Sequence, residues 1–198
     1  MPSPPPLGLT FVMSAPELAA LPPSPAEVAV VGRSNVGKSS LINALANRKG
    51  LAHVSNTPGR TQLLNLFVLP SGATVMDLPG YGFAAVPGRV RSTWSAMIEG
   101  YLLGREALRQ VLILVDGEIG PAKLDITMLA WIRSHEVPFT VIATKEDKVR
   151  PSRRGARRAE LAAGCGLPAS EIVWVSAAKG AGIGPLRSQI HGWLAPEG

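Results

Sequence analysis

The residues with the plainest chemistry are Gly32, Arg33, Ser34, Asn35, Val36, Gly37, Lys38 and Ser39, which obey the pattern GxxxxGK[ST]. They follow the apolar run Val28–Val31 and lead into Ser40–Leu45. The pattern therefore stands between a strand and a helix, the context in which it cradles phosphate groups. Gly32 and Gly37 permit backbone conformations closed to other residues, so successive N–H groups can converge on phosphate oxygens. A helix beginning near Lys38 adds the positive end of its dipole. Lys38 would then reach the β- and γ-phosphates, and the Ser39 hydroxyl would bind Mg²⁺. The bland alternative is a glycine-bearing turn with an ordinary surface lysine.

Three further segments extend this chemistry. Asp77, Leu78, Pro79 and Gly80 close a β-rich run; a carboxylate there can hold Mg²⁺ through water, and the Gly80 N–H can contact a γ-phosphate. Thr144, Lys145, Glu146 and Asp147 follow the run Phe139–Ala143. The Asp147 carboxylate can accept from guanine N1–H and the 2-amino group. Adenine offers neither donor, and leaving a buried charged acceptor unpaired costs on the order of several kcal/mol. The Lys145 stem can lie along the base. Ser176, Ala177 and Ala178, ahead of Lys179, are small enough for backbone N–H groups to approach guanine O6. Standing alone, each segment reads better as a turn or a solvated charge run; it is their combination with the phosphate loop that gives them weight. Within the polar stretch Asn56–Gln62, a hydroxyl could complete Mg²⁺ coordination only when the γ-phosphate is present, which makes a switch. Thr61 is the choice for that role, with Thr57 the alternative.

These segments must be positioned by strands and helices. From Val28 onward short β-rich runs alternate with helical patterns, which reads as an α/β fold on a mainly parallel sheet. The expected strands are 28–31, 63–69, 73–77, 110–115, 138–143 and 171–175, about six in all; the expected helices are 38–47, 90–103, 123–134, 153–163 and 183–194. The first two runs after the switch segment flank Pro70–Gly72, so 63–69 is expected to be an antiparallel edge strand in a hairpin. Thr10–Met13 could add a further edge strand. Residues 1–9, rich in proline, read as a disordered tail, followed by one domain over 10–198.

Composition sets the outer limits. The chain has 198 residues, net charge +6 and a sequence pI near 10.0, which permits an anionic partner such as RNA. Its single cysteine, Cys165, excludes an intrachain disulfide and a cysteine-based metal cluster, as suits a reducing cytoplasm. No apolar run approaches the roughly 20 residues of a membrane span, and the first residues lack the charged and apolar regions of a signal peptide.

Taken in order, the strings GRSNVGKSS, TPGRTQ, DLPGYG, TKED and SAAKG resemble those of the EngB family of bacterial GTP-binding proteins, over nearly all of residues 10–195. The resemblance implies a three-layer, Ras-like P-loop GTPase domain that binds GTP and GDP with Mg²⁺. It also implies a role in late assembly of the large ribosomal subunit and in normal cell division and septation. Carried over residue by residue, Gly32 to Ser39 match the phosphate loop, with Ser39 and Thr61 as metal ligands. Gly59, Arg60, Thr61, Gln62 and Leu63 match the first switch and Asp77 to Gly80 the second. Thr144 to Asp147 match the base-specificity motif and Ser176 to Ala178 the last guanine contact. Thr144 stands where most GTPases have Asn, so fewer links between base and phosphate loop are expected. Phe83 and Glu146 are smaller departures.

Lys38, Asn35 and Gly80 are the residues expected to aid hydrolysis. Where a water-orienting glutamine often follows Asp-x-x-Gly, this chain has Tyr81, whose phenol cannot present an amide's paired donor and acceptor, so slow hydrolysis is expected. Asn35 could hold K⁺ against the phosphates, or simply make a local loop hydrogen bond. The densest charge cluster, Arg153, Arg154, Arg157 and Arg158, is expected on one helix face opposite Ala156, Ala159 and Ala163, either to meet RNA phosphates or to lie solvated. Two other readings remain: a GTP-dependent interaction module in septation, and an ATP-using phosphate-loop enzyme.

Overall fold

The computed structural model describes residues 4–52, 63–81 and 88–196. Among them the β-rich runs form β1 (Thr10–Ala15), β2 (Glu27–Gly32), β3 (Leu64–Val68), β4 (Thr74–Asp77), β5 (Leu108–Asp116), β6 (Phe139–Thr144) and β7 (Ile172–Trp174). The periodic segments form α1 (Lys38–Ala46), α2 (Gly88–Gly104), α3 (Lys123–Ser134), α4 (Arg154–Cys165) and α5 (Ile183–Trp193). The strands make one sheet in the order β1-β3-β4-β2-β5-β6-β7.

The sheet differs from expectation at one edge. β3 is antiparallel to β4, as the hairpin reading requires, but β1 pairs outside it, also antiparallel. Among the described residues seven strands are present, and the one strand running against the rest is interior. Backbone groups of β3 that would have faced solvent are paired with β1. The remaining neighbours, β4, β2, β5, β6 and β7, are all parallel. Their carboxyl ends, at Asp77, Gly32, Asp116, Thr144 and Trp174, therefore open along one sheet edge, where open α/β sheets bind ligands.

Alternation along each strand feeds two cores. Ala29, Val31, Val111, Ile113 and Val115 face a cluster built with Ile98, Leu129, Ile132 and Leu161 of α2, α3 and α4. Val28, Val30, Leu112 and Leu114 face a cluster with Leu41, Leu45, Leu186 and Ile190 of α1 and α5. Covering both faces explains why β2 and β5 read as continuous apolar runs. No helix among the described residues is long and apolar enough to cross a membrane.

Two expectations need correction. Of the segment expected to be a disordered tail, residues 4–9 are described, and there Leu7 and Leu9 are buried in the α1/α5 core. The Leu7 N–H donates to Leu45 O at 3.0 Å. Two leucines among prolines supply enough apolar area to fix the segment. On α4 the alanine face is not the inner one: Ala156, Ala159 and Ala163 are exposed, and Leu161, Ala162 and Cys165 are buried.

Candidate functional site

The loop after β2 is shaped by two residues in the left-handed region, Asn35 (φ 61°) and Gly37 (φ 111°), the latter capping α1. Gly32 is needed for another reason than the backbone freedom expected of it. It does not have a positive φ, but a Cβ there would lie 2.9 Å from Val36 Cγ1 and 3.0 Å from Leu114 O. Close packing, rather than conformational freedom, excludes a side chain at this position. Lys38 opens α1, and its ammonium donates to Gly32 O at 3.3 Å. Burial pushes the Lys38 pKa down, and Asp77 partly offsets this.

Asp77 reaches the same place from the end of β4, in register with Val30. Its carboxyl is pushed up to about 6 by burial, against the opposing pull of Lys38 and a hydrogen bond from Asn65. Its Oδ1 is buried and makes no hydrogen bond among the described residues. An unpartnered buried carboxylate oxygen suits a cation or its water ligands. Ser39 lies partly buried in the first turn of α1. Among the described residues no group of three or more His, Cys, Asp or Glu side chains forms a metal cage, so a metal here would need oxygen ligands from Ser39 and the bound phosphates. Gly59, Arg60, Thr61 and Gln62, with the alternative Thr57, lie outside the described residues. Leu63 is described and exposed.

At the other end of the edge, the turns after β6 and β7 meet. The Ser176 hydroxyl donates to Asp147 Oδ1 at 2.6 Å and accepts from the Lys179 N–H at 3.0 Å. Glu146 N–H donates to Val175 O at 3.1 Å. Lys145, itself left-handed (φ 57°), places its ammonium 2.6 Å from Asp116 Oδ2. Thr144 reaches back to the phosphate loop, donating to Val36 O at 2.7 Å. Thus Thr144 retains a link to the loop despite lacking an amide's second arm. Ala177 and Ala178 follow Ser176 in the same turn, where Ala178 is exposed. Leu78 and Pro79 continue from Asp77, with Leu78 N–H donating to Val30 O.

The Tyr81 phenol is committed to α3. Its hydroxyl donates to Asp125 Oδ1 at 2.9 Å, and Arg33 Nε donates to Asp125 Oδ2 at 2.9 Å. Burial, and then the Asp125 carboxylate, raise the phenol's pKa well above its ordinary value, so Tyr81 remains a donor. Sequence reasoning passed over Asp125; its only signal was an acidic residue in the first turn of a helix, which ordinarily means a cap. Asp116 was passed over too. The Asn35 side chain is exposed and makes no hydrogen bond among the described residues, so the local-bond reading does not hold there.

The arginine cluster is more engaged than a solvated face. Arg158 stacks over Trp174 at 5.6 Å and donates to Glu146 Oε1 at 2.8 Å. Arg157 lies 3.2 Å from Glu160, and Arg153 lies 3.6 Å from the same residue.

The family described as "50S ribosome-binding GTPase" matches residues 27–145. The chain is similar to the probable GTP-binding protein EngB of Geobacter sulfurreducens, at 44% identity over 169 residues, 85% of this chain and 82% of that protein. Among solved structures it is similar to a probable GTP-binding protein EngB, with TM-score 0.70 and 25% identity, over 85% of this chain and 98% of that one. It is also similar to Era in complex with MgGDPNP and nucleotides 1506–1542 of 16S ribosomal RNA, with TM-score 0.66 and 29% identity, over 87% of this chain and 57% of that one.

Proposed function

The chain belongs to the EngB family of GTP-binding proteins, GTPases of the P-loop class, and from that premise we propose that it is a slow GTP switch serving assembly of the large ribosomal subunit. The observation that carries the nucleotide part is the Thr144–Val36 hydrogen bond, which joins a base-reading turn to a phosphate-binding loop at one sheet edge. In this reading Gly32 to Ser39 cradle the phosphates, Asp147 reads guanine, and Ser176, Ala177 and Ala178 flank O6. Ser39 and Thr61 would hold Mg²⁺, with Asp77 contributing through water, and Gly59 to Leu63 would serve as the segment that senses the γ-phosphate. The orphaned Asp77 oxygen supports a cation there.

Hydrolysis moves the γ-phosphoryl group from GTP to an attacking water, releasing GDP and phosphate, and the protein's part is positioning and charge. Lys38 carries positive charge to the bridging and γ-oxygens and the Gly80 N–H steadies the γ-phosphate; a Mg²⁺ held at Ser39 and Thr61 would supply further positive charge to the phosphates. No side chain at position 81 orients the water, since the Tyr81 phenol is committed to Asp125. Turnover on the order of 10⁻⁴ per second is therefore expected without a partner. The free Asn35 amide, in the left-handed region, is the group that would hold K⁺; equal turnover in K⁺ and Na⁺ buffers removes that role.

The ribosomal part rests on the family description and on basicity. Arg154 is exposed and makes no ion pair among the described residues, so it is the most accessible to RNA phosphates, whereas Arg153 and Arg157 pair with Glu160 and Arg158 pairs with Glu146. The test is cosedimentation with ribosomal subunits in GDP against a non-hydrolysable GTP analogue. Analogue-dependent binding to the large subunit, weakened by salt, is expected. Nucleotide-independent binding, or copurification with division proteins instead of large-subunit precursors, moves the role to septation.

A further inference from the structure

We propose that Asp125 is a positioning residue that holds the Gly80–Tyr81 segment against the phosphate loop, and that it thereby contributes to affinity for a nucleoside triphosphate more than to affinity for the diphosphate. The proposal rests on the reading of that loop as a nucleotide cradle.

Asp125 sits in the first turn of α3 and is fully buried. An acid at that position ordinarily accepts one backbone N–H at the helix start, and Asp125 does so from Ala122 at 2.8 Å. That duty uses one hydrogen bond and needs no burial. The carboxylate accepts two more, from groups 92 and 44 residues away in sequence: Arg33 Nε in the phosphate loop and the Tyr81 hydroxyl just after Gly80. Three elements thus converge on one carboxylate.

The backbone agrees with the side chains. Arg33 and Tyr81 form a parallel bridge, and the Ser34 N–H donates to Tyr81 O at 3.2 Å. Gly80 is thereby pressed onto the loop: a Cβ on it would lie 2.8 Å from Ser34 Oγ and 3.0 Å from Lys38 Nζ. Gly80 thus lies beside the ammonium that would attend the terminal phosphate. Its N–H is a group that a γ-phosphate can use and a diphosphate cannot. Holding that donor in place before the ligand arrives lowers the ordering cost of triphosphate binding alone. Apart from the reach of Lys38 to the γ-phosphate, the rest of the cradle, from Gly32 to Ser39 and from Thr144 to Asp147, serves both nucleotides.

The test compares Tyr81→Phe, which removes one hydroxyl and keeps the ring, with Asp125→Asn, which keeps size and removes charge. Affinities for fluorescent GDP and for a fluorescent non-hydrolysable GTP analogue are measured by titration with Mg²⁺. Each variant is expected to lose about tenfold in affinity for the analogue, the scale of one hydrogen bond to a charged group, while GDP affinity stays within about twofold. The double variant is expected to lose no more than Asp125→Asn alone, because both changes break one unit. Equal losses for both nucleotides, or an unchanged ratio in Tyr81→Phe, overturn the proposal and leave Asp125 a structural residue. Should Asp125→Asn not fold, Tyr81→Phe alone decides. Failure of the unaltered chain to bind GDP would instead defeat the underlying reading of the loop.

Discussion

The Thr144 hydroxyl donates to the Val36 carbonyl at 2.7 Å, joining residues 108 apart in sequence. A second acceptor, Val115 O, lies farther off at 3.2 Å. One proton serves one of them well, and the shorter contact is to the phosphate loop. Thr144→Val keeps the side chain's shape and removes the bond, leaving a loop carbonyl unpaired. Affinities for GDP and for a GTP analogue are expected to fall together by about fivefold to tenfold, the scale of one neutral hydrogen bond. The ratio of guanine to adenine nucleotide binding should not move. Calorimetric titration of both nucleotides checks this, and a loss confined to one of them contradicts it.

Ser176 holds Asp147 through a 2.6 Å hydrogen bond to a partly buried carboxylate. Ser176→Ala frees that carboxylate to rotate while leaving β7 intact. Guanine nucleotide affinity should fall about tenfold, as for a bond to a charged group. ATP binding is not expected to rise, so selectivity narrows from one side only. Competition of a fluorescent guanine nucleotide by ATP and by GDP measures both arms.

Asp77 makes a pH-dependent prediction. Its folded pKa is raised from 3.8 to about 6, chiefly by burial. A carboxyl that protonates more readily when folded stabilises the protein at low pH, and that contribution is lost as pH rises through about 6. Without nucleotide and Mg²⁺, the chain should therefore lose stability between about pH 4 and 6 relative to Asp77→Asn, by at most about 3 kcal/mol. Urea unfolding of the two proteins across that window gives the difference. With Mg²⁺ and GTP present the order should reverse, because the neutral amide is a poorer partner for the hydrated cation.

Glu27, at the opposite end of β2 from the phosphate loop, is fully buried and binds Arg105 through Nε at 2.9 Å and Nη2 at 3.1 Å. Tyr101 and Thr74 donate their hydroxyls to the same carboxylate. The cluster fastens the end of α2 to the sheet. Arg105→Ala leaves a buried charge without its counter-ion and should destabilise by about 3–5 kcal/mol. Denaturant unfolding reads this directly. GDP affinity, measured well below the unfolding transition, should be unchanged, since the cluster lies away from the site.

Much of the frame was legible because its signals are local. The spacing predicts a helix over 123–134, and α3 is Lys123–Ser134; the apolar run Val111–Val115 lies within β5. What misled were features settled by distant partners. β3 looks like an edge strand until Thr10–Ala15 pairs outside it. Proline-rich residues 4–9 look unstructured until Leu7 and Leu9 find the α1/α5 core. The alanines opposite the arginines of α4 look like the packed side until Leu161, Ala162 and Cys165 take the buried positions.

The sequence by itself determined which groups could meet a guanine nucleotide, since the spacing of Gly32, Lys38, Asp77 and Asp147 around strand ends follows from the period of strands and helices. Tertiary structure decided what each side chain does when it arrives. Tyr81 carries no mark of its direction, and Asp125 reads as an ordinary helix acid. Only the packing of α3 beside the phosphate loop brings Arg33 and Tyr81 to one buried carboxylate. The reason is physical: a motif specifies backbone and chemistry over a few residues, whereas a buried charge takes whatever donors the fold delivers to it.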